Sequence, residues 1–279
     1  MFEKATKQKS KLRMALYGPS GSGKTYSALS IASGLGQKIA VIDTEYGSAS
    51  KYADLFDFDV CELPNTTIDT YIKAIDFASS QYDVIIIDSL THAWQSLLDA
   101  VDKIAKTKYR GNSWSAWSDG TPQQRKLVDS LVRCQSHIIA TMRAKTEWIT
   151  QTNDKGRSAP MRVGLAPEQG KGIEYEFDFL ASITPEHTLS FEKSRAHEFQ
   201  DRIIEKPSKA LGKELIAWLN AGTQATPQIT PEQKSTLLKL IYQTGYQAKR
   251  DIDTLTEEEA SQFITSLQSK VKELEEIED

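Results

Sequence analysis

Gly18-Pro19-Ser20-Gly21-Ser22-Gly23-Lys24-Thr25 decides how the rest of the chain is read, because a glycine, four free positions and then Gly-Lys-Thr is the spacing of a phosphate-binding loop. Glycines at 18, 21 and 23 let the backbone turn with several N–H groups aimed inward. A helix starting near Lys24 adds the positive end of its dipole to that nest. A triphosphate is the natural occupant. In such a loop Lys24 reaches the β and γ phosphates and the Thr25 hydroxyl ligates Mg²⁺, so the nucleotide-contacting stretch runs from Gly18 to Tyr26. Both flanks agree: residues 12–17 (LRMALY) read as a buried strand and residues 26–35 as a helix.

Working outward, Lys38-Ile39-Ala40-Val41-Ile42-Asp43-Thr44-Glu45 is an apolar strand that ends in two carboxylates, placing both at the sheet edge where open parallel sheets bind ligands. Residues 57–63 form a third strand candidate, and Thr66 or Thr67 caps a helix to about residue 79. Val84-Ile85-Ile86-Ile87-Asp88-Ser89 is a continuous aliphatic run closed by an acid. That is the form in which a buried strand presents Asp88 to the water shell of a magnesium ion. A helix follows to about residue 106. Residues 109–120 then read as a polar, glycine-bearing loop whose Trp114 and Trp117 either stack on nucleic-acid bases or pack under the loop. Pro122 opens the next helix, and His137-Ile138-Ile139-Ala140-Thr141 is another buried strand.

From 146 to 172 the periodicity is lost and a long loop is expected, marked by Asn153-Asp154-Lys155-Gly156-Arg157 and Pro160. Between Thr141 and Gly172 six basic residues (Arg143, Lys145, Lys155, Arg157, Arg162, Lys171) face three acidic ones, a local positive patch on a chain of net charge −4. That overall charge excludes a generally basic nucleic-acid coat, so any nucleic-acid contact must come from a local patch, with Trp114, Trp117, Arg143, Trp148, Lys155, Arg157 and Arg162 as the candidates. Strands are expected at 177–183 and 188–191, then Lys193-Ser194-Arg195 and a helix over 207–220.

With 279 residues the chain holds one α/β domain of ordinary size plus a small module. The boundaries read as a basic, flexible arm at 1–10, a core at 11–220, a linker at 221–230 (AGTQATPQIT) and a helical hairpin at 231–279. Thr230-Pro231-Glu232-Gln233 has the form of a capping box, and Ala260, Ile264, Leu267, Val271 and Leu274 make a narrow apolar stripe. The stripe closes on Leu237, Leu238 and Ile241 or serves as a partner face. Cys61 and Cys134 lie in apolar segments and read as core residues, which suits a reducing cytoplasm; no apolar run is long enough to span a bilayer, and the four histidines lack metal-ligand spacing.

With these residues in place, positions 11–220 resemble the RecA/RadA recombinase superfamily, most closely the short phage proteins of the Sak class, RecA-like single-strand annealing recombinases often labelled AAA-family ATPases. Ile42-Asp43-Thr44-Glu45 looks like the Ile-Asp-Thr-Glu of RadA-type proteins, which implies that Glu45 polarises the attacking water. Asp88-Ser89 matches the family's second motif. Lys193-Ser194-Arg195 resembles the Lys-x-Lys pair inserted into a neighbouring protomer's nucleotide site. The resemblance implies a RecA-like P-loop NTPase core with a mainly parallel sheet flanked by helices. It also implies DNA-stimulated ATP hydrolysis with Mg²⁺, single-stranded DNA as partner, a homo-oligomeric ring or filament, and a single-strand-binding protein as partner of the C-terminal module. The chain departs from the family where Thr141-Met142 replaces Asn-Gln, a change for which Arg143 would substitute. The alternatives are a nucleotide-switched DNA-binding module with little turnover, or another P-loop NTPase such as a kinase or motor subunit.

Overall fold

The structure, a computed structural model, describes residues 4–152, 158–223, 229–246, 252 and 255–278; for 148–152, 158–163 and 272–278 it describes the backbone alone. The chain forms two compact units: Ser10–Ala221, and a smaller one that joins the chain before Ser10 to the chain after Ala221.

In the larger unit, strands β1 (Arg13–Gly18), β2 (Ile39–Asp43), β3 (Asp59–Glu62), β4 (Val84–Asp88), β5 (His137–Thr152), β6 (Ser158–Pro167), β7 (Phe179–Ile183), β8 (Thr188–Ser194) and β9 (Ile203–Glu205) build one sheet. Its order is β3-β2-β4-β5-β1-β7-β8-β9, with β6 paired to β5. The pairs from β3 to β7 are parallel, whereas β7–β8, β8–β9 and β5–β6 are antiparallel. Helices α1 (Lys24–Leu35), α2 (Ile68–Ser79), α3 (Thr91–Lys108), α4 (Ser113–Arg133) and α5 (Lys209–Asn220) cover it. The expected α/β fold, a mainly parallel sheet flanked by helices, is the one observed.

The strands read as unbroken apolar runs because both faces of the sheet are buried. Met14, Leu16, Val41, Val84, Ile86 and Ile139 point into one core with α1 and α5. The alternate residues Ala15, Tyr17, Ile42, Ile85, Ile87 and Ala140 point into a second, with Ile75 of α2 and Leu127 of α4. Each fully buried Leu or Ile contributes roughly 1.5–3 kcal/mol. Helices α1 and α5 cross so closely that a Cβ on Gly212 would lie 2.1 Å from the Ile31 carbonyl oxygen, and one on Gly34 2.3 Å from that of Lys209.

Three expectations are corrected. Cys61, read as a core residue, is exposed on β3, which forms the outer edge of the sheet. Residues 146–172 are not a long irregular loop: β5 runs on through Thr152 and pairs with β6 as a two-stranded ribbon, from Ala144↔Pro167 to Thr152↔Ser158. Residues 109–120 are mostly not a loop either. Asn112 caps α4, its side chain accepting from the Ser115 N–H at 3.1 Å, so Pro122 lies inside the helix rather than opening it. Gly120 is a packing residue, since a Cβ there would stand 2.4 Å from the Val101 side chain of α3.

In the smaller unit, the expected capping box of Thr230 and Gln233 opens α6 (Pro231–Thr244), and Thr256 with Glu259 forms a second one before α7 (Glu257–Glu278). Ala260, Ile264, Leu267 and Val271 of the apolar stripe join Leu237, Leu240 and Ile241 in one small core, while Leu238 is exposed and the Leu274 side chain lies outside the described residues. Lys7 and Lys9, read as part of a solvated arm, hydrogen-bond through their backbones to Thr223.

The buried His137 makes the larger unit acid-sensitive. Its Nδ1 accepts the Leu12 N–H at 2.9 Å, which only an unprotonated nitrogen can do. Burial, aided by the charges of Lys11 and Arg13, pushes its pKa from 6.5 down to about 4. Below 6.5 the unfolded chain therefore takes up a proton that the folded chain refuses, so stability is lost as pH falls from 6.5 towards 4, by about 2 kcal/mol at pH 5. Denaturant unfolding at pH 7.5 and pH 5 is expected to show this loss, and His137→Gln to reduce it. An equal loss in both proteins would assign the acid sensitivity to other groups.

Candidate nucleotide site

The C-terminal ends of β1, β2 and β4 meet the middle of β5 over a cavity of about 560 Å³ lined by Gly18, Pro19, Ser20, Gly21, Gly23, Lys24, Thr25, Glu45, Asp88 and Arg143, among others. The loop from β1 to α1 owes its shape to its glycines. Gly21 and Gly23 take φ of 79° and 83°, a region closed to most side chains, and Gly23 is the N-terminal cap of α1. Gly18 is required by contact instead, because a Cβ there would sit 2.3 Å from the Ile183 carbonyl oxygen of β7. The Lys24 ammonium donates to the carbonyls of Gly18 (3.1 Å) and Pro19 (2.8 Å), holding its charge over the loop. Burial lowers its pKa, with Asp88 and Glu45 opposing that shift.

Asp88, at the end of β4, is 2 % exposed and held from both sides. Thr25 Oγ1 donates to Oδ2 at 2.6 Å and Thr141 Oγ1 to Oδ1 at 2.5 Å. Burial raises its pKa, and the two hydroxyls counter that rise. The pairing of a hydroxyl and a carboxylate beside a phosphate cradle suits Mg²⁺, which keeps most of its waters and takes few protein ligands. The donor set fits the ion: Thr25 would hold it directly and Asp88 through water.

Glu45 stands across the cavity on a turn that Asp43 shapes, Asp43 Oδ1 accepting from the Glu45 N–H at 2.6 Å and Oδ2 from the Ala49 N–H at 3.2 Å. The Glu45 carboxylate is bound by Arg143: Nη2 lies 2.9 Å from Oε1 and 3.1 Å from Oε2, and Nε 3.3 Å from Oε1. His92 Nε2 is 3.6 Å from Oε1, its Nδ1 being 2.8 Å from Thr44 Oγ1.

A second cavity, of about 480 Å³, adjoins the loop behind Gly21 and Gly23 and is lined by Tyr26, Tyr52, His187, Lys206 and Pro207. Tyr26 packs edge-on against Tyr52 and Phe56, with ring centroids 5.8 and 5.3 Å away. His187, at φ 64° in the β7–β8 turn, places Nδ1 3.0 Å from the Ser22 carbonyl oxygen. Ser22 itself is fully buried.

The structure thus brings Lys24, Thr25, Glu45, Asp88 and Arg143 together. It does not bring Lys193 and Arg195 to them. These lie at the N-terminal edge of the parallel strands, where Phe179 pairs with Ser194, roughly 15 Å of strand from Gly18. Lys193 Nζ donates to the carbonyls of Glu174 (2.8 Å) and Tyr175 (3.0 Å), and Arg195 pairs with Asp178 at 2.8 Å. Trp117 stacks on Trp94 at 5.6 Å, whereas Trp114 is 89 % exposed. Lys155 and Arg157 lie outside the described residues, as do the side chains of Trp148 and Arg162. Sequence reasoning missed Tyr52, His187 and Glu168 as cavity residues and His92 as a neighbour of Glu45; none sits in a pattern that marks it.

Residues 10–203 match the family model described as AAA domain. Protein RecA of Phytoplasma mali (strain AT) is 27% identical over 144 residues, which is 50% of this chain and 40% of that protein, so the match spans less than half of the relative's length. Among solved structures, the RadB recombinase matches with a TM-score of 0.41 at 15% identity, over 70% of this chain and 88% of that one. The ATPase EscN, assembled with its central stalk EscO from the enteropathogenic E. coli type III secretion system, matches with a TM-score of 0.40 at 16% identity, over 94% and 66%. With the phosphate loop inside the matched span, and that span most of the 279 residues, the chain belongs to the AAA-domain family.

Proposed function

We propose that the protein binds ATP with Mg²⁺, hydrolyses it, and couples this cycle to single-stranded DNA as a recombinase that promotes annealing or strand pairing in phage recombination, working as a homo-oligomer. The observation that carries the reading is the convergence of Lys24, the Thr25–Asp88 pair and Glu45 on one cavity. Lys24 and the loop N–H groups hold the β and γ phosphates, and the aromatic-lined second cavity takes the base and ribose. Glu45 accepts a proton from the water whose oxygen adds to the γ phosphorus while the bond to the β–γ bridging oxygen breaks, leaving ADP. The magnesium ion supplies neutralisation of the charge on the phosphate oxygens. Measuring ATP hydrolysis with and without single-stranded DNA tests the reading; no hydrolysis in either condition would remove it.

The DNA part rests on the sequence resemblance, on the relationship to a protein named RecA, and on the cationic stretch of sequence from Arg143 to Lys171. Replacing Arg157 and Arg162 together by alanine is expected to weaken single-strand binding about tenfold at physiological salt and to flatten the log K against log salt slope by about 1.4. Trp148→Ala is expected to weaken binding without changing the slope. Unchanged affinity and slope in the double arginine variant would move the DNA site off the ribbon.

A second reading, a nucleotide-switched binding module with little turnover, is favoured by the Arg143–Glu45 pair, which occupies the oxygens of the general base. ATP-dependent DNA binding with hydrolysis no faster than that of Glu45→Gln would establish it.

A further inference from the structure

His92 reaches Glu45 from the first turn of α3, and 13% of its side chain is exposed. Its ring joins the two residues that follow β2, with Nδ1 2.8 Å from Thr44 Oγ1 and Nε2 3.6 Å from Glu45 Oε1. The partners of Thr44 decide where the ring carries its hydrogen. Thr44 Oγ1 accepts the Ser89 N–H at 2.9 Å and keeps its own hydrogen to donate. Three acceptors compete for that hydrogen: His92 Nδ1 at 2.8 Å, the Asp88 carbonyl at 3.2 Å and the Ser89 carbonyl at 3.3 Å. The Asp88 carbonyl already accepts the Thr44 N–H at 2.7 Å, and the Ser89 carbonyl accepts the buried Tyr71 hydroxyl at 2.8 Å. The imidazole nitrogen is the nearest of the three, so Nδ1 accepts. In its neutral form the ring then holds its hydrogen on Nε2, facing Glu45. This makes the two oxygens of Glu45 unequal. Oε1 receives Arg143 Nη2 at 2.9 Å and Nε at 3.3 Å and also faces His92, whereas Oε2 receives Nη2 at 3.1 Å. Donors around a carboxylate oxygen hold it in its charged form, so the less crowded Oε2 is the better proton acceptor.

We propose that His92 is a positioning residue for hydrolysis: its Nε2–H, oriented from behind by Thr44, holds Glu45 Oε1 and presents Oε2 to the attacking water. The proposal rests on the reading that Glu45 is the general base. A separation of 3.6 Å is longer than a completed hydrogen bond, and contacts of this kind commonly tighten once substrate is in place. In the step itself the proton of the water passes to Oε2 as the water oxygen bonds to the γ phosphorus and the bond to the β–γ bridging oxygen breaks. His92 neither gains nor loses a proton. Its rigid ring passes the direction of the Thr44 contact on to Glu45, and Thr44 is in turn tied through its N–H and its hydroxyl to the end of β4. The general base is thereby set in register with the strand that carries Asp88.

The test is single-turnover hydrolysis at saturating ATP and Mg²⁺ by the full chain and by His92→Ala, His92→Asn and His92→Gln, with the affinity of each for a non-hydrolysable β,γ-imido ATP analogue. His92→Ala is expected to lower the rate constant about tenfold or more and to leave analogue affinity within about twofold of the parent. The two amides separate positioning from a structural role. Asparagine places its amide near Nδ1 and keeps the Thr44 contact without reaching Glu45, so it should be as slow as alanine. Glutamine places its amide near Nε2 and should recover much of the rate. Rescue by asparagine and not by glutamine would make His92 a structural partner of Thr44 and overturn the proposal, and the asparagine-to-glutamine ratio decides even where His92→Ala does not fold. In a Glu45→Gln background, His92→Ala is expected to cost less than about twofold more, and a second full loss there would also overturn it. A rate lowered by Glu45→Gln but untouched by His92→Ala removes the positioning role and leaves Glu45 as the base. A parental rate in Glu45→Gln removes the base and the positioning role together.

Discussion

Lys24→Ala is expected to lower ATP affinity by at least about 100-fold and to abolish hydrolysis. Among the described residues the ammonium is the cation held directly over the loop, where it donates to the Gly18 and Pro19 carbonyls at one end of the phosphate cradle. Charge-assisted contacts are worth about 1.5–3 kcal/mol each, and removing Lys24 deletes two of them from a triphosphate, one to the β and one to the γ group. Titration of a fluorescent ATP analogue measures the binding, and retention of parental affinity would remove the phosphate-loop reading. The same variant decides whether Lys193 and Arg195 act on a neighbour. Because they stand at the opposite sheet edge, they cannot serve the phosphate loop of their own chain. Mixing Lys24→Ala protomers with Lys193→Ala/Arg195→Ala protomers creates interfaces that pair an intact loop with an intact cation pair, so partial recovery of DNA-stimulated hydrolysis is expected. No recovery at any ratio, with assembly verified by light scattering, would confine both residues to their contacts with Glu174, Tyr175 and Asp178.

What could be read from the sequence followed burial and local turn chemistry. The strands at 13–18, 39–43, 84–88 and 137–141 are apolar on both faces because helices cover both faces, and that leaves an unbroken aliphatic signature. The ribbon was hidden for the converse reason. Past Ala144 no aliphatic run marks its strands, although Thr146, Trp148, Thr150 and Thr152 alternate with other residues in the manner of a strand. Helix α4 was hidden by Gly120 and Pro122, which normally end helices; here the glycine permits close packing on Val101, and the proline is tolerated two residues later. The Arg143–Glu45 pair has no local signature at all. It exists because β2 ends at the sheet edge that β5 crosses at Arg143 on its way into the ribbon, a fact of topology that strand spacing alone does not disclose.

Glu45→Gln is expected to keep nucleotide affinity within a few-fold of the parent and to lower kcat by roughly 10²-fold or more. The substitution keeps size and hydrogen-bonding reach, so the amide still holds a water, but it cannot take the proton that must leave that water as its oxygen bonds to phosphorus. The surroundings give the carboxylate this role rather than Asp88 or Asp43. Asp88 has both oxygens committed to the hydroxyls of Thr25 and Thr141, and Asp43 has both committed to backbone N–H groups of its own turn. Glu45 is held by side chains that can move, Arg143 and His92, and it lines the cavity itself. The competing view is that Glu45 serves only as the counter-ion of Arg143. In that case Glu45→Gln would leave kcat at the parental value, because losing the ion pair frees the guanidinium without removing any group the chemistry needs. Single-turnover hydrolysis at saturating ATP separates the two, since it isolates the chemical step from product release. A rate constant equal to the parent's would reduce Glu45 to a charge partner, whereas a hundredfold fall with ATP still bound identifies it as the group that accepts the proton.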